Sequence, residues 1–141
     1  MSDEGTELRK VERYSPAFNE WRTLTSMSVA RAYVGVAGMD DHIYAVGGWS
    51  EDAGALDSVE RYDVTKDAWE LVSPMRHVRA GAAVTVVDGL LYAIGGRKSY
   101  PDLTVAPTTH ASVERYDPHT GQWSEIEAMP GGRCETGVAV I

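Results

Sequence analysis

The phrase Val-Glu-Arg-Tyr recurs at residues 11–14, 59–62 and 113–116, and each time a tryptophan follows at one fixed distance, as Trp21, Trp69 and Trp123. Val11 to Val59 is 48 positions and Val59 to Val113 is 54, and the tryptophans keep the same two offsets. A shared period near 50 residues is the mark of a repeat array, in which each unit buries its apolar surface against its neighbours. That period limits the fold before any local pattern is considered.

Laid over one another, the copies agree well beyond these five positions. Met27, Met75 and Met129 align, as do Arg31, Arg79 and Arg133, and the pair Gly47–Gly48 falls on Gly95–Gly96. Each unit predicts four short β segments. In the third copy a run rich in Gly, Ala and Val spans 80–87, and Asp88-Gly89 forms a tight turn. A second strand at 90–94 ends on the double glycine, a third spans 112–117, and a polar turn at 118–121 leads to a fourth around Trp123. No long segment has a helical period, so the chain is expected to be all-β.

Four antiparallel strands per unit, a Gly-Gly pair and a late Trp resemble the kelch repeat, one blade of a β-propeller. The wording Tyr-Ala-Val-Gly-Gly, Ser-Val-Glu-Arg-Tyr-Asp, Pro-Met and Arg-Ala-Gly-Ala-Ala-Val is similar to repeats of the kelch-like (BTB–BACK–kelch) adaptors. On this basis residues 1–10 are a polar lead and 11–30 the outer two strands of a partial blade. Residues 31–78 and 79–130 are two complete blades, and 131–141 is the first strand of a further one. That count falls short of the four to eight blades of a closed propeller. The sequence is therefore expected to be a piece of a longer product, a deliberately shortened chain, or a unit that completes a ring by self-association through open blade edges.

Within a repeat, positions that recur maintain the blade, whereas a binding site needs asymmetry. Gly47, Gly48, Gly95, Gly96, Tyr62, Tyr116, Trp21, Trp69 and Trp123 are thus assigned to the scaffold. Glu60–Arg61 and Glu114–Arg115 are expected to form interblade or strand-edge pairs, each contributing about 0–1 kcal/mol if exposed. The copies differ most after the double glycine, where Gly48 to Val59 encloses 10 residues and Gly96 to Val113 encloses 16. The longer loop, 97–111, carries Arg97, Lys98, Tyr100 and His110, and the approach to each first strand also varies, with Arg76 and His77 in one copy.

The family resemblance implies that these two stretches share one propeller face, which recruits a protein partner. It marks Trp49, Arg97, Lys98, Tyr100 and His77 as candidate contacts, together with the first-strand arginines Arg31, Arg79 and Arg133, for which a scaffold role competes. The formal net charge of −8 disfavours nucleic acid and anionic membranes. Arg31, Arg76, Arg79, Arg97, Lys98 and Arg133 on that face would suit an acidic peptide.

The single cysteine, Cys134, suits a reducing compartment, and the cytoplasm is expected. No apolar run is long enough to span a membrane. His42, His77, His110 and His119 lack metal-ligand spacing, and no nucleophile, phosphate-loop or dinucleotide pattern occurs, so neither catalysis nor a metal or other cofactor is expected. A copper oxidase of the kelch type is the remote alternative. The resemblance implies a non-catalytic module like the substrate-recognition propeller of a cullin-RING ubiquitin ligase adaptor, in which a BTB region engages the cullin. Actin or cytoskeletal binding, the role of other kelch proteins, is the second expectation.

Overall fold

The spacing between tyrosine and tryptophan is a hairpin register. In the computed structural model, which describes residues 9–98 and 108–141, Tyr14 lies directly across from Trp21, Tyr62 from Trp69, and Tyr116 from Trp123. The first hairpin joins β1 (Val11–Ser15) to β2 (Glu20–Leu24). A four-stranded antiparallel blade follows, in the order β3 (Gly35–Met39), β4 (His42–Val46), β7 (Val59–Asp63), β8 (Ala68–Val72). Between β4 and β7, the short β5 (Trp49–Ser50) and β6 (Gly54–Ala55) form a hairpin of their own. The second complete blade runs β9 (Ala83–Val87), β10 (Leu90–Ile94), β11 (Val113–Asp117), β12 (Gln122–Ile126).

Local chemistry sets the turns. Asp88 and Gly89 both take positive φ, 50° and 74°, the mirror-image turn that matches strand twist in a two-residue hairpin. The turns before the outer strands each end on a left-handed residue, Asn19, Asp67 or Gly121, all types that tolerate that region. The Asp63 carboxylate accepts the backbone N–H groups of Thr65 and Lys66, and Asp117 accepts that of His119, so two of these turns begin with the same side-chain bond.

The blades pack face to face. Tyr44, Val46, Val59 and Met75 of the first complete blade share a buried cluster with Leu91, Ala93, Tyr116 and Trp123 of the second. The small residues of the first strands serve close approach: a Cβ added to Gly35 would overlap the Val84 side chain. Residues 131–141, expected as a first strand, form no ladder among the described residues. Tyr100 and most of the 97–111 loop fall outside the described residues.

Candidate functional site

The double glycine ends the second strand of each blade and admits the incoming backbone of the next. Gly47, Gly48, Gly95 and Gly96 all have positive φ, and a Cβ on Gly47 or Gly95 would overlap the carbonyl of Arg79 or Arg133. Gly48 N–H donates to Arg79 O at 2.8 Å, and Gly96 N–H to Arg133 O at 2.7 Å. The residue after each pair is then bridged to the linker of its own blade, Trp49 to Ala32 and Arg97 to Ala80. Post-glycine loops and linkers thereby meet along one edge of the sheets.

Beneath that edge sits a buried ionic clamp, made twice. The side chains of Arg31 and Glu60 are 0% exposed, as are those of Arg79 and Glu114. Arg79 donates from Nε and from Nη2 to Glu114 at 3.1 and 2.9 Å, and its Nη1 reaches the carbonyls of Gly95 and Ser112 at 2.8 and 2.9 Å. The same carboxylate accepts the backbone N–H of Arg76 at 2.6 Å and of His77 at 3.3 Å. In the other copy Arg31 binds Glu60, Gly47 O and Ser58 O, and Glu60 accepts the N–H groups of Ser28 and Val29. Each clamp thus ties the entering linker to the second and third strands. Burial lowers the pKa of Arg31, opposed by the Glu60 charge and hydrogen bond.

This arrangement corrects two expectations. Glu60 and Glu114 do not pair with the arginines beside them: successive strand residues face opposite sides, so Arg61 turns outward to Glu70 while Glu60 turns inward. Arg31 and Arg79 are buried and saturated, out of reach of a partner, so the wide basic patch contracts. Arg76, Lys98 and Arg133 remain exposed, while Arg97 is half-buried, donating to Cys134 Sγ at 3.1 Å and lying 3.4 Å from the Glu135 carboxylate. Trp49 is half-buried in its short hairpin. Near it, a cleft of about 420 Å³ opens between residues 28–30 and the 50–58 loop, edged by Arg9, Ser28, Ser50, Asp52, Asp57 and Ser58. The edge is therefore acidic beside one blade, with Glu51, Asp52 and Asp57 exposed, and basic beside the next.

His77 sits where that basic side is built. Its ring lies 5.5 Å from that of His110, and its Nε2 is 2.9 Å from Glu125. The equivalent positions one blade earlier are Val29, Leu56 and Leu71, so three apolar residues give way together to titratable ones. His110 is buried, bonds Val78 O through Nε2, and accepts Arg133 N–H on its own carbonyl. Burial pushes its pKa below the ordinary histidine value; the Val78 hydrogen bond opposes this, and Arg79, Lys98 and His77 add to it. The unfolded chain therefore binds the proton more readily than the folded one. Stability is expected to be full above pH ~6.5, the ordinary value, and to decline as pH falls below it. Thermal melts from pH 7.5 to 5.0 should show that decline, reduced in His110→Leu, which restores the residue type of the preceding blade.

Tyr33 was not singled out by the sequence. It occupies a position two residues after the clamp arginine, matched by Gly81 and Glu135, and all three take positive φ of 52°, 67° and 54°. Their backbones link successive blades, Gly81 N–H to Tyr33 O and Glu135 N–H to Gly81 O. The conformation recurs while the side chain changes, and Tyr33 and Glu135 are exposed on the linker. That contrast was available in the sequence, but it sits inside a block that otherwise aligns.

A protein-family model described as "Kelch motif" matches residues 2–28, 30–76 and 79–130. The chain belongs to the kelch-repeat family. Human Kelch-like protein 5 is 46% identical over 43 residues, which cover 30% of this chain and 6% of that protein. Among solved structures, one titled "Structure of YjhT" superposes with a TM-score of 0.78 at 16% identity, covering 92% of this chain and 41% of that one. That likeness carries the fold alone. The chain thus spans a small fraction of its curated relative and under half of the solved neighbour. Kelch repeats of this kind make a protein-interaction propeller.

Proposed function

We propose that this chain is a non-catalytic recognition module that holds a protein partner on the linker–loop edge, as the substrate-binding part of a ubiquitin ligase adaptor acting in the cytoplasm. The observation that carries it is that the one difference in length between the blades, 10 against 16 residues after the double glycine, falls on this edge, beside two copies of the same buried clamp. Trp49, Tyr33, His77, Arg97, Lys98 and Arg133 are the contacts it nominates, with Tyr100 from the same loop. Exposed Arg76, Lys98 and Arg133 favour an acidic stretch of the partner, with the Asp52–Asp57 side engaging a basic neighbour. Contact with a cullin would belong to a BTB region outside this sequence.

Recovery of a cellular partner by the immobilised protein tests the assignment. Lys98→Glu and Trp49→Ala are expected to reduce recovery at least tenfold. Lys66→Glu and His119→Ala, on turns at the other end of the sheets, should leave it unchanged. Binding lost equally from both sets would contradict the proposal, and co-sedimentation with filamentous actin would replace the adaptor role by the cytoskeletal one.

A further inference from the structure

The junction where each post-glycine loop rejoins its blade is built twice, with the same backbone bonds and different side chains. In the first complete blade, Leu56 N–H donates to Gly48 O at 2.8 Å, and Leu56 O accepts Arg79 N–H at 2.9 Å. One blade later, His110 N–H donates to Gly96 O at 2.7 Å, and His110 O accepts Arg133 N–H at 3.2 Å. Leu56 is 8% exposed and His110 6% exposed, so a titratable ring fills the place of an aliphatic side chain.

The ring adds a tie that leucine cannot make. Its Nε2 donates to Val78 O at 2.9 Å, which joins the linker entering the blade to the loop and, through the His110 backbone, to the linker leaving it. With that proton on Nε2, a second one must go to Nδ1. Burial opposes it, and so do Arg79 and His77 on the entering linker and Lys98 on the loop. The nearby carboxylates are already bound, Glu114 of β11 to Arg79 and Glu125 of β12 to His77. The Glu125 bond holds the His77 ring 5.5 Å from that of His110, so a charge on either ring is set against the other.

We propose that His110 and His77 form a proton-operated catch on the recognition edge: acid frees His110 from Val78 O and loosens the junction of the two linkers while both blades stay folded. Any opening that exposes His110 lets it take a proton with ordinary affinity, so falling pH favours the open junction. Global unfolding gains from the same proton, but local opening starts from a smaller free energy and is reached first. His77, Lys98 and Arg133 surround this junction. The consequence for binding, release of a partner in acid, rests on the recognition role proposed above.

Backbone hydrogen exchange of the 141-residue chain at pH 7.5 and 5.5, each amide referred to its own intrinsic rate, tests the catch without a partner. Protection at His110 and Arg133 should fall about tenfold at pH 5.5, the limit for one proton of ordinary pKa ~6.5. Leu56, which makes the same bonds on a side chain that does not titrate, should change by less than about twofold. His110→Leu should abolish the fall. If that variant does not fold, His110→Gln serves the same purpose, since it keeps a donor for Val78 O and does not titrate in this range. His77→Val should shrink the fall. Equal loss at Leu56 and His110 would overturn the proposal, as would a fall that survives replacement of His110. A fall at His110 with undiminished partner recovery at pH 5.5 would support the catch and count against the recognition role instead.

Discussion

Glu114→Ala is expected to destabilise the fold by about 3–5 kcal/mol, the range for breaking a buried ion pair from one side. The loss is large because the Arg79 guanidinium, with no exposed side-chain surface, would keep its charge without its counter-ion. The backbone N–H groups of Arg76 and His77 would lose their acceptor in the same step. Arg79→Met combined with Glu114→Leu should cost less than Glu114→Ala alone, because no charge is then left buried. It should not reach the unmodified protein, since the carbonyls of Gly95 and Ser112 lose their donor. Urea unfolding with a common m-value separates these outcomes.

Trp123→Ala is expected to cost about 3–5 kcal/mol, as for other large aromatics removed from a core. Trp123 is buried in the interblade cluster, stacks on Tyr116 and donates to Ser73 O, so truncation opens a cavity and orphans an acceptor. Trp21→Ala, at the equivalent position, should cost no more than about 1 kcal/mol. It retains only the Tyr14 contact and is largely exposed. Trp69 is half-buried and should fall between the two. The ranking tests whether blade position, and not residue type, sets the cost.

Much of the fold was legible because the repeat encodes register: a tyrosine and a tryptophan seven positions apart become direct cross-strand partners, as in Tyr62 and Trp69. The double glycines were legible too, because only a residue without Cβ lets Arg79 O or Arg133 O approach so closely. The clamp was hidden. Its partners lie 29 and 35 residues apart, while the adjacent Glu60 and Arg61 suggest a pairing that strand alternation forbids. Repetition had already marked Arg31 and Arg79 as candidates for the scaffold, and burial resolves the competition in favour of that role. At the candidate site, the loop position of Trp49 and Arg97 followed from the glycine pairs. The backbone bridges that anchor both residues, and the left-handed Tyr33 between blades, needed coordinates.

Replacing residues 97–112 with the shorter 49–58 segment of the preceding blade tests the central claim most directly, because it changes the irregular loop and leaves each clamp's arginine and glutamate in place. Arg79 would still meet Glu114, and the grafted Ser58 would stand in for Ser112. The graft should unfold within about 1 kcal/mol of the unmodified chain and fail to recover its partner. Partner recovery undiminished in a folded graft would place recognition elsewhere and contradict the account.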